Sequence, residues 1–253
     1  MQISFFEEFP NSKNLNKLDL VKFPVKLYLA EYSIEGYKQY KKELQSKYKN
    51  LKEVIWWPIL NLNEGYWLSP WTKRRALLRT FHVLLNEKYP ILWDAEFPKN
   101  RKLIFTQFLN YFKNKTLIKL FFKKYQGQIY TAEYFSEYGL MKKFLEFNCL
   151  SFDPKDYNNI KIKMIYSSTL PWMNEYYFKN RIKEYQKNYK DNFAIGLGLL
   201  DVGINGNEAL MSLNQLERDI KICKEMNVRE VVIFRLGGLN KEFNMNRESY
   251  IKY

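Results

Sequence analysis

The chain of 253 residues contains one histidine, His82, and two cysteines, Cys149 and Cys223. Zinc hydrolases, di-metal amidohydrolases and non-haem iron sites draw two or more imidazoles from the protein. One histidine cannot supply them, so no metal centre of these kinds is expected. Two cysteines far apart in sequence make neither a four-thiolate site nor a disulfide framework, and a reduced, cytosolic (cytoplasmic) protein is the expectation. Long apolar runs are also missing. The longest, such as residues 231–234, fall far short of the roughly 20 residues that cross a bilayer, so no membrane partner is expected. The opening MQISFFEEFP places Glu7 and Glu8 where a signal peptide would need apolar residues. Neither a low-complexity linker nor an internal repeat is visible. One domain over residues 1–253 is expected, near the upper size for a single core.

Aromatic residues are abundant instead: 20 Tyr, 19 Phe and 6 Trp make 18% of the chain. Eight short apolar runs recur along it, at Ile3–Phe6, Val25–Ala30, Val54–Trp57, Ile91–Asp94, Ile129–Ala132, Ile160–Tyr166, Phe193–Leu197 and Val231–Leu236. They are mostly continuous rather than alternating, as strands covered on both faces read. Longer segments with helical periodicity separate them. Ser69-Pro70 predicts a helix start ahead of 75–85, and Ser212 with Gln215 predicts a capping box. Residues 101–125 are long for one helix and predict two, broken near Asn114. Eight strand–helix alternations in this length predict an α/β protein, a single-domain (β/α)8 TIM barrel. The open doubly wound alternative lacks its Gly-rich fingerprint, since Glu7-Glu8-Phe9-Pro10 follows the first strand.

A barrel of this kind does its chemistry at the C-terminal ends of its strands. Glu7 and Glu8 stand there after strand one, Glu31 after strand two, Asp94 and Glu96 after strand four, and Glu133 after strand five. All six tryptophans, among them Trp56, Trp57 and Trp93, fall at strand ends or just beyond. Carboxylates around an aromatic cleft suit sugars, whose apolar faces stack on rings while their hydroxyls need charged acceptors. Asp94 and Glu96 share parity and form the most specific acid pair. Glu96 is the candidate general acid, Asp94 its tuning partner, and Glu133 or Glu7 the base or nucleophile. Each strand-end carboxylate also has a plainer use, capping the next helix or pairing with Lys or Arg. No cofactor is called for.

Four segments together resemble the chitinase-like family 18 glycoside hydrolases: Asp94-Ala95-Glu96, Met164-Ile165-Tyr166, Gly196-Leu197-Gly198 and Val231 to Phe234 before Arg235. The resemblance implies a glycosidase barrel in which Glu96 is the acid and Tyr166 helps position the N-acetyl group of a glycan ligand. The family's Asp-x-x-Asp-x-Asp-x-Glu run is cut to its last Asp-x-Glu here, with Tyr89 and Leu92 in the first two acidic positions. Ser167 stands in place of the Asp of Met-x-Tyr-Asp, and Arg235 in place of a Trp.

A second constellation suits an anion. At least half of the ten glycines crowd the last two connections, and strand eight ends Arg235-Leu236-Gly237-Gly238. Arg235 and the Gly237 and Gly238 amides could hold a phosphate or carboxylate of a small-molecule metabolite, where barrels often bind phosphate. Lys161 and Lys163 invite a Schiff-base reading but sit early in strand six, toward the face that serves stability. His82, between Phe81 and Val83 in a helical segment, reads as a packed or solvated helix residue.

Charge is the last feature. Lys and Arg number 41 against 27 Asp and Glu, a net of +14, and residues 191–253 carry none of the excess. A basic surface invites nucleic acid. Only nine of the 41 are Arg, and no nucleic-acid-binding motif is present, which favours solvated lysine-rich helices over a nucleic-acid partner.

Overall fold

The computed structural model describes residues 1–135, 139–170 and 172–243. Eight parallel strands close a barrel in sequence order. They are β1 (Gln2–Glu7), β2 (Val25–Glu31), β3 (Leu51–Pro58), β4 (Ile91–Asp94), β5 (Ile129–Tyr134), β6 (Asn159–Met164), β7 (Phe193–Gly198) and β8 (Glu230–Phe234). Between them run α1 (Ser12–Leu15), α2 (Ile34–Lys47), α3 (Arg74–Glu87), α4 (Lys102–Thr106), α5 (Phe108–Lys124), α6 (Gly139–Phe147), α7 (Pro154–Tyr157), α8 (Glu175–Tyr189) and α9 (Leu213–Glu225). The expected (β/α)8 barrel is the fold.

Two helix starts differ from expectation. The helix after β3 begins at Arg74, not at Ser69-Pro70, because Thr72 turns the chain first: its hydroxyl accepts from Ser69 N–H at 2.9 Å and donates to the Trp67 carbonyl at 3.0 Å. The long segment after β4 breaks at Gln107, not near Asn114. Asn114 is fully buried inside α5, where its amide donates to the Pro70 and Thr72 carbonyls at 3.0 and 2.9 Å. A buried side-chain amide satisfied by tertiary partners no longer competes with the helix backbone. The capping box of Ser212 and Gln215 is present as expected.

Chain contacts group into two compact units. One holds residues 31–37 and 55–161, and the other residues 1–30, 38–54 and the chain from 162 onward. Within the first, directly paired residues reveal which side chains face the helices. Trp56 pairs with Ile91, and Trp93 with Thr131. Trp56 stacks on Tyr37 of α2 at 5.8 Å, and Trp93 meets Phe81 of α3 at 6.0 Å and Phe122 of α5 at 5.1 Å. Successive strand residues point to opposite faces. Thr131 and Glu133 therefore face the helices with Trp93, while Asp94, Ala132 and Tyr134 take the inner face.

In the second unit Phe6 pairs with Tyr28 and with Phe234. Their rings meet at 5.4 and 6.1 Å on one face, and Tyr166 joins Phe234 at 6.0 Å. Glu7 lies on the face opposite Phe6. Toward the strand starts, Glu230 accepts from Ser4 Oγ at 2.6 Å and Tyr28 Oη at 3.1 Å, and pairs with Lys26 at 3.3 Å.

Candidate active site

Beyond Asp94 the chain continues without regular structure through Ala95, Glu96 and Phe97. Ala95 N–H donates to the Ala132 carbonyl at 2.9 Å, which prolongs the β4–β5 pairing and holds the segment at the strand end. Its support comes from below: Phe97 packs on Trp71 at 5.1 Å, within a satellite core of Trp71, Leu103, Tyr111, Leu145 and Leu150. Asp94 is 9% exposed and Glu96 is half-buried. The hydroxyl of Tyr134, last residue of β5, senses both carboxylates. Burial raises its pKa most, and the negative charges of Glu96 and Asp94 raise it further, against smaller opposing effects of the Phe97 backbone and Arg101. Tyr134 thus keeps its proton beside two acids. A carboxyl group with a neighbouring carboxylate is the pair from which general acid catalysis is assembled.

The other strand-end residues of this unit have different surroundings. Glu133 is fully buried and forms an ion pair with Lys161 at 2.9 Å, while its other oxygen accepts from Thr131 Oγ1 at 2.8 Å and Phe152 N–H at 3.0 Å. Its parity turns it away from Asp94 and toward the helices, so it does not join the acid pair. Glu31 accepts from Tyr32 and Ser33 N–H at 2.7 and 3.3 Å and so braces the turn that leads into α2, whose first turn Ser33 Oγ caps by accepting from Gly36 N–H at 3.1 Å. Trp56 is 2% exposed and donates from Nε1 to the Glu31 carbonyl at 2.9 Å. Trp93 is 0% exposed among phenylalanines. Neither ring presents a face on which a ligand could stack. Trp57, also buried, has the opposite parity and turns to the inner face.

In the second unit the expected anion cradle exists, and the chain's own Glu7 fills it. Glu7 Oε2 accepts from Gly237 N–H at 2.7 Å, and Oε1 accepts from Phe9 N–H, Asn14 Nδ2 and Arg235 Nη1 at 2.8, 3.1 and 3.2 Å. Arg235 also donates to the Val202 carbonyl at 2.9 Å and to Asp201 at 2.7 Å. Burial raises the Glu7 pKa, while Arg235 and the amide donors pull it back toward the ionised form. Gly238 is held so tightly that a Cβ there would lie 2.4 Å from the Leu200 backbone. With its donors already engaged, this cradle has nothing left for an external phosphate. Glu8, 4% exposed, accepts from Ile204 N–H at 3.1 Å. Tyr166 is half-buried against Phe234. Ser167 donates to Asp219 at 2.6 Å and is buried, a structural use.

Lys161 and Lys163 are both buried on the helix-facing side, Lys161 on Glu133 and Lys163 5.8 Å from the Tyr185 ring of α8. Neither reaches the inner face, as a Schiff-base role would require. His82 is exposed on α3 with Asn86 beside it at 3.5 Å. Tyr134 and Asn14 were missed in the sequence. The signal for Tyr134 was present, since extending strand five two residues past Ala132 gives it the parity of Asp94. A recess of about 600 Å³ opens away from the strand ends, between α5, α6 and α7. Lys119, Lys142 and Lys143 line it opposite Glu146, Asp153 and Asp156, so its charges balance.

Eight parallel strands closed in sequence order define a (β/α)8 TIM barrel. Among solved structures, the chain is similar to a class V chitinase from Pseudomonas fluorescens Pf-5, at TM-score 0.60 and 9% identity over 99% of both chains. It is similar also to a GH18 chitinase from Pseudoalteromonas aurantia, at TM-score 0.57 and 10% identity over 96% of both. The PgaB (BpsB) glycoside hydrolase domain from Bordetella bronchiseptica follows at TM-score 0.53 and 10% identity, over 99% of this chain and 96% of that one. At such identities the likeness is one of fold. No family model and no curated protein matches the sequence.

Proposed function

We propose that the chain acts on a carbohydrate at the C-terminal end of β4, with Glu96 as general acid and Asp94 tuning it. The supporting observation is the Asp94–Glu96–Tyr134 cluster, in which a neutral phenol lies beside two carboxylates on adjoining strand ends. Protonated Glu96 gives its proton to the glycosidic oxygen. The C–O bond then breaks with its electron pair going to the leaving group, and positive charge develops at the anomeric carbon. Asp94 stabilises that charge through space, and Tyr134, which keeps its proton, adds no negative charge beside the two acids.

A second protein carboxylate is the usual nucleophile or base. Glu133 and Glu7, the two candidates for it, are engaged by Lys161 and by Arg235 with Gly237. Substrate-assisted cleavage needs no such group, because the acetamido oxygen of the sugar attacks the anomeric carbon itself. A 2-acetamido sugar is therefore the favoured substrate class. Fluorogenic N-acetylglucosaminides and their oligomers test the reading. Turnover is expected to fall about 10²–10⁴-fold in Glu96→Gln, and by a smaller factor in Asp94→Asn and Tyr134→Phe. Unchanged hydrolysis in both acid variants, or no turnover of any acetamido glycoside by the folded protein, would overturn it.

A further inference from the structure

From residue 97 to residue 128 the chain has eight Lys and Arg and not one Asp or Glu. That segment builds α4 and α5. One face of α5 is spent on the core, where Tyr111, Asn114, Ile118, Phe121 and Phe122 are buried. The opposite face, at helical spacing across the α4–α5 break, carries Phe105, Phe108, Leu109 and Phe112 into solvent, with Phe105 81% and Leu109 86% exposed. α6 adds Leu140 at 84%, along with Phe144 and Phe147. The two stripes adjoin. Tyr111 lies 5.0 Å from Phe112 and 6.5 Å from Phe147, and Lys115 Nζ sits 3.1 Å above the Phe147 ring. Contiguous apolar surface on this scale marks an interaction site.

We infer that this face docks on an anionic membrane surface, lying in the interface without crossing it. Phenylalanine and leucine insert among acyl chains, and the lysines around them meet lipid phosphates, the arrangement by which amphipathic helices bind interfaces. No described helix is long and apolar enough to span a bilayer. Charge complementarity selects this occupant over a second copy of the chain. Twofold self-association would set one carboxylate-free lysine segment against its equal, with like charges opposed. The inference is independent of the carbohydrate reading and of the β4 acids.

Co-sedimentation with phosphatidylcholine vesicles, with and without phosphatidylglycerol, tests it. Binding is expected to the anionic vesicles only, to weaken as salt is raised, and to fall about fivefold for each of Lys102→Ala and Lys113→Ala. Phe108→Glu and Leu109→Glu are expected to weaken it about tenfold or more, at unchanged melting temperature because both side chains are exposed. Equal binding to neutral vesicles, or none to either, overturns the proposal. So does a dimer by sedimentation that Leu109→Glu converts to monomer, since a second copy would then cover the face.

Discussion

Removing one partner of the Glu133–Lys161 pair should be among the most damaging single changes open to the chain. The two groups are 2.9 Å apart and each is 0% exposed. At an effective dielectric constant near 20, charges at that distance attract by about 6 kcal/mol, a gross figure that desolvation of several kcal/mol per ion largely offsets. The intact pair therefore adds little net stability. Lys161→Met takes the Lys161 charge away from Glu133, which stays buried under the helices on Thr131 Oγ1 and Phe152 N–H. Breaking such a pair costs about 3–5 kcal/mol. With a urea slope of about 3 kcal/mol/M, the unfolding midpoint falls by about 1–1.7 M. Glu133→Gln removes the charge that Lys161 faces at 2.9 Å and should cost a similar amount. The double variant removes both charges and should recover most of the loss, a coupling energy of about 2–3 kcal/mol in a double-mutant cycle. Tryptophan fluorescence reports the transition directly, because Trp93 packs on Phe152 at 6.1 Å. Single losses below about 1 kcal/mol, or additive losses in the double variant, would refute the reasoning.

Two further outcomes follow from the same geometry. The Glu7 pKa is raised above 4.5 on folding, so its contribution to stability is fully present below pH 4.5 and declines as pH rises through the folded-state value. The stability of the wild type relative to Glu7→Gln should therefore fall as pH rises from 4.5, over a window that Arg235→Met widens; an increase across that window would contradict the assignment. Trp93→Ala should cost about 3–5 kcal/mol in thermal or urea unfolding, whereas Trp172→Ala, at a site 54% exposed, should stay within about 0.5 kcal/mol. Equal effects of the two would mean that Trp93 is not the packed ring its neighbours indicate.

The strand ends show how far a sequence can be read. Continuous apolar runs located all eight strands, because a strand covered on both faces must be apolar throughout and no other element of that length is. The same continuity hid parity. Asp94 and Glu96 share parity through their spacing alone, but Glu133 needed its register against Trp93 to show that it faces the helices. Arg235 and Gly237 hold an anion, while the Gly238 amide is spent on the Arg235 carbonyl at 3.1 Å. That the anion is Glu7, 230 residues away from Gly237, depends on β1 lying beside β8, which closure of the barrel alone brings about.

By itself the sequence determined the elements, their order and the barrel they form, since local periodicity and the handedness of strand–helix–strand units leave few other solutions. It also determined the chemical inventory, in which one histidine and two cysteines leave acid–base work to carboxylates and phenols. Only the tertiary structure decided which partners the Glu7 and Glu133 carboxylates are spent on. A carboxylate brought out of water must find donors or a cation, and those partners, Lys161 for Glu133 and Arg235 with Gly237 for Glu7, come from strands or turns that meet them only when the chain is folded. The pairing of β4 with β5 likewise brings Tyr134 beside Asp94 and Glu96, which spacing along one strand could not show.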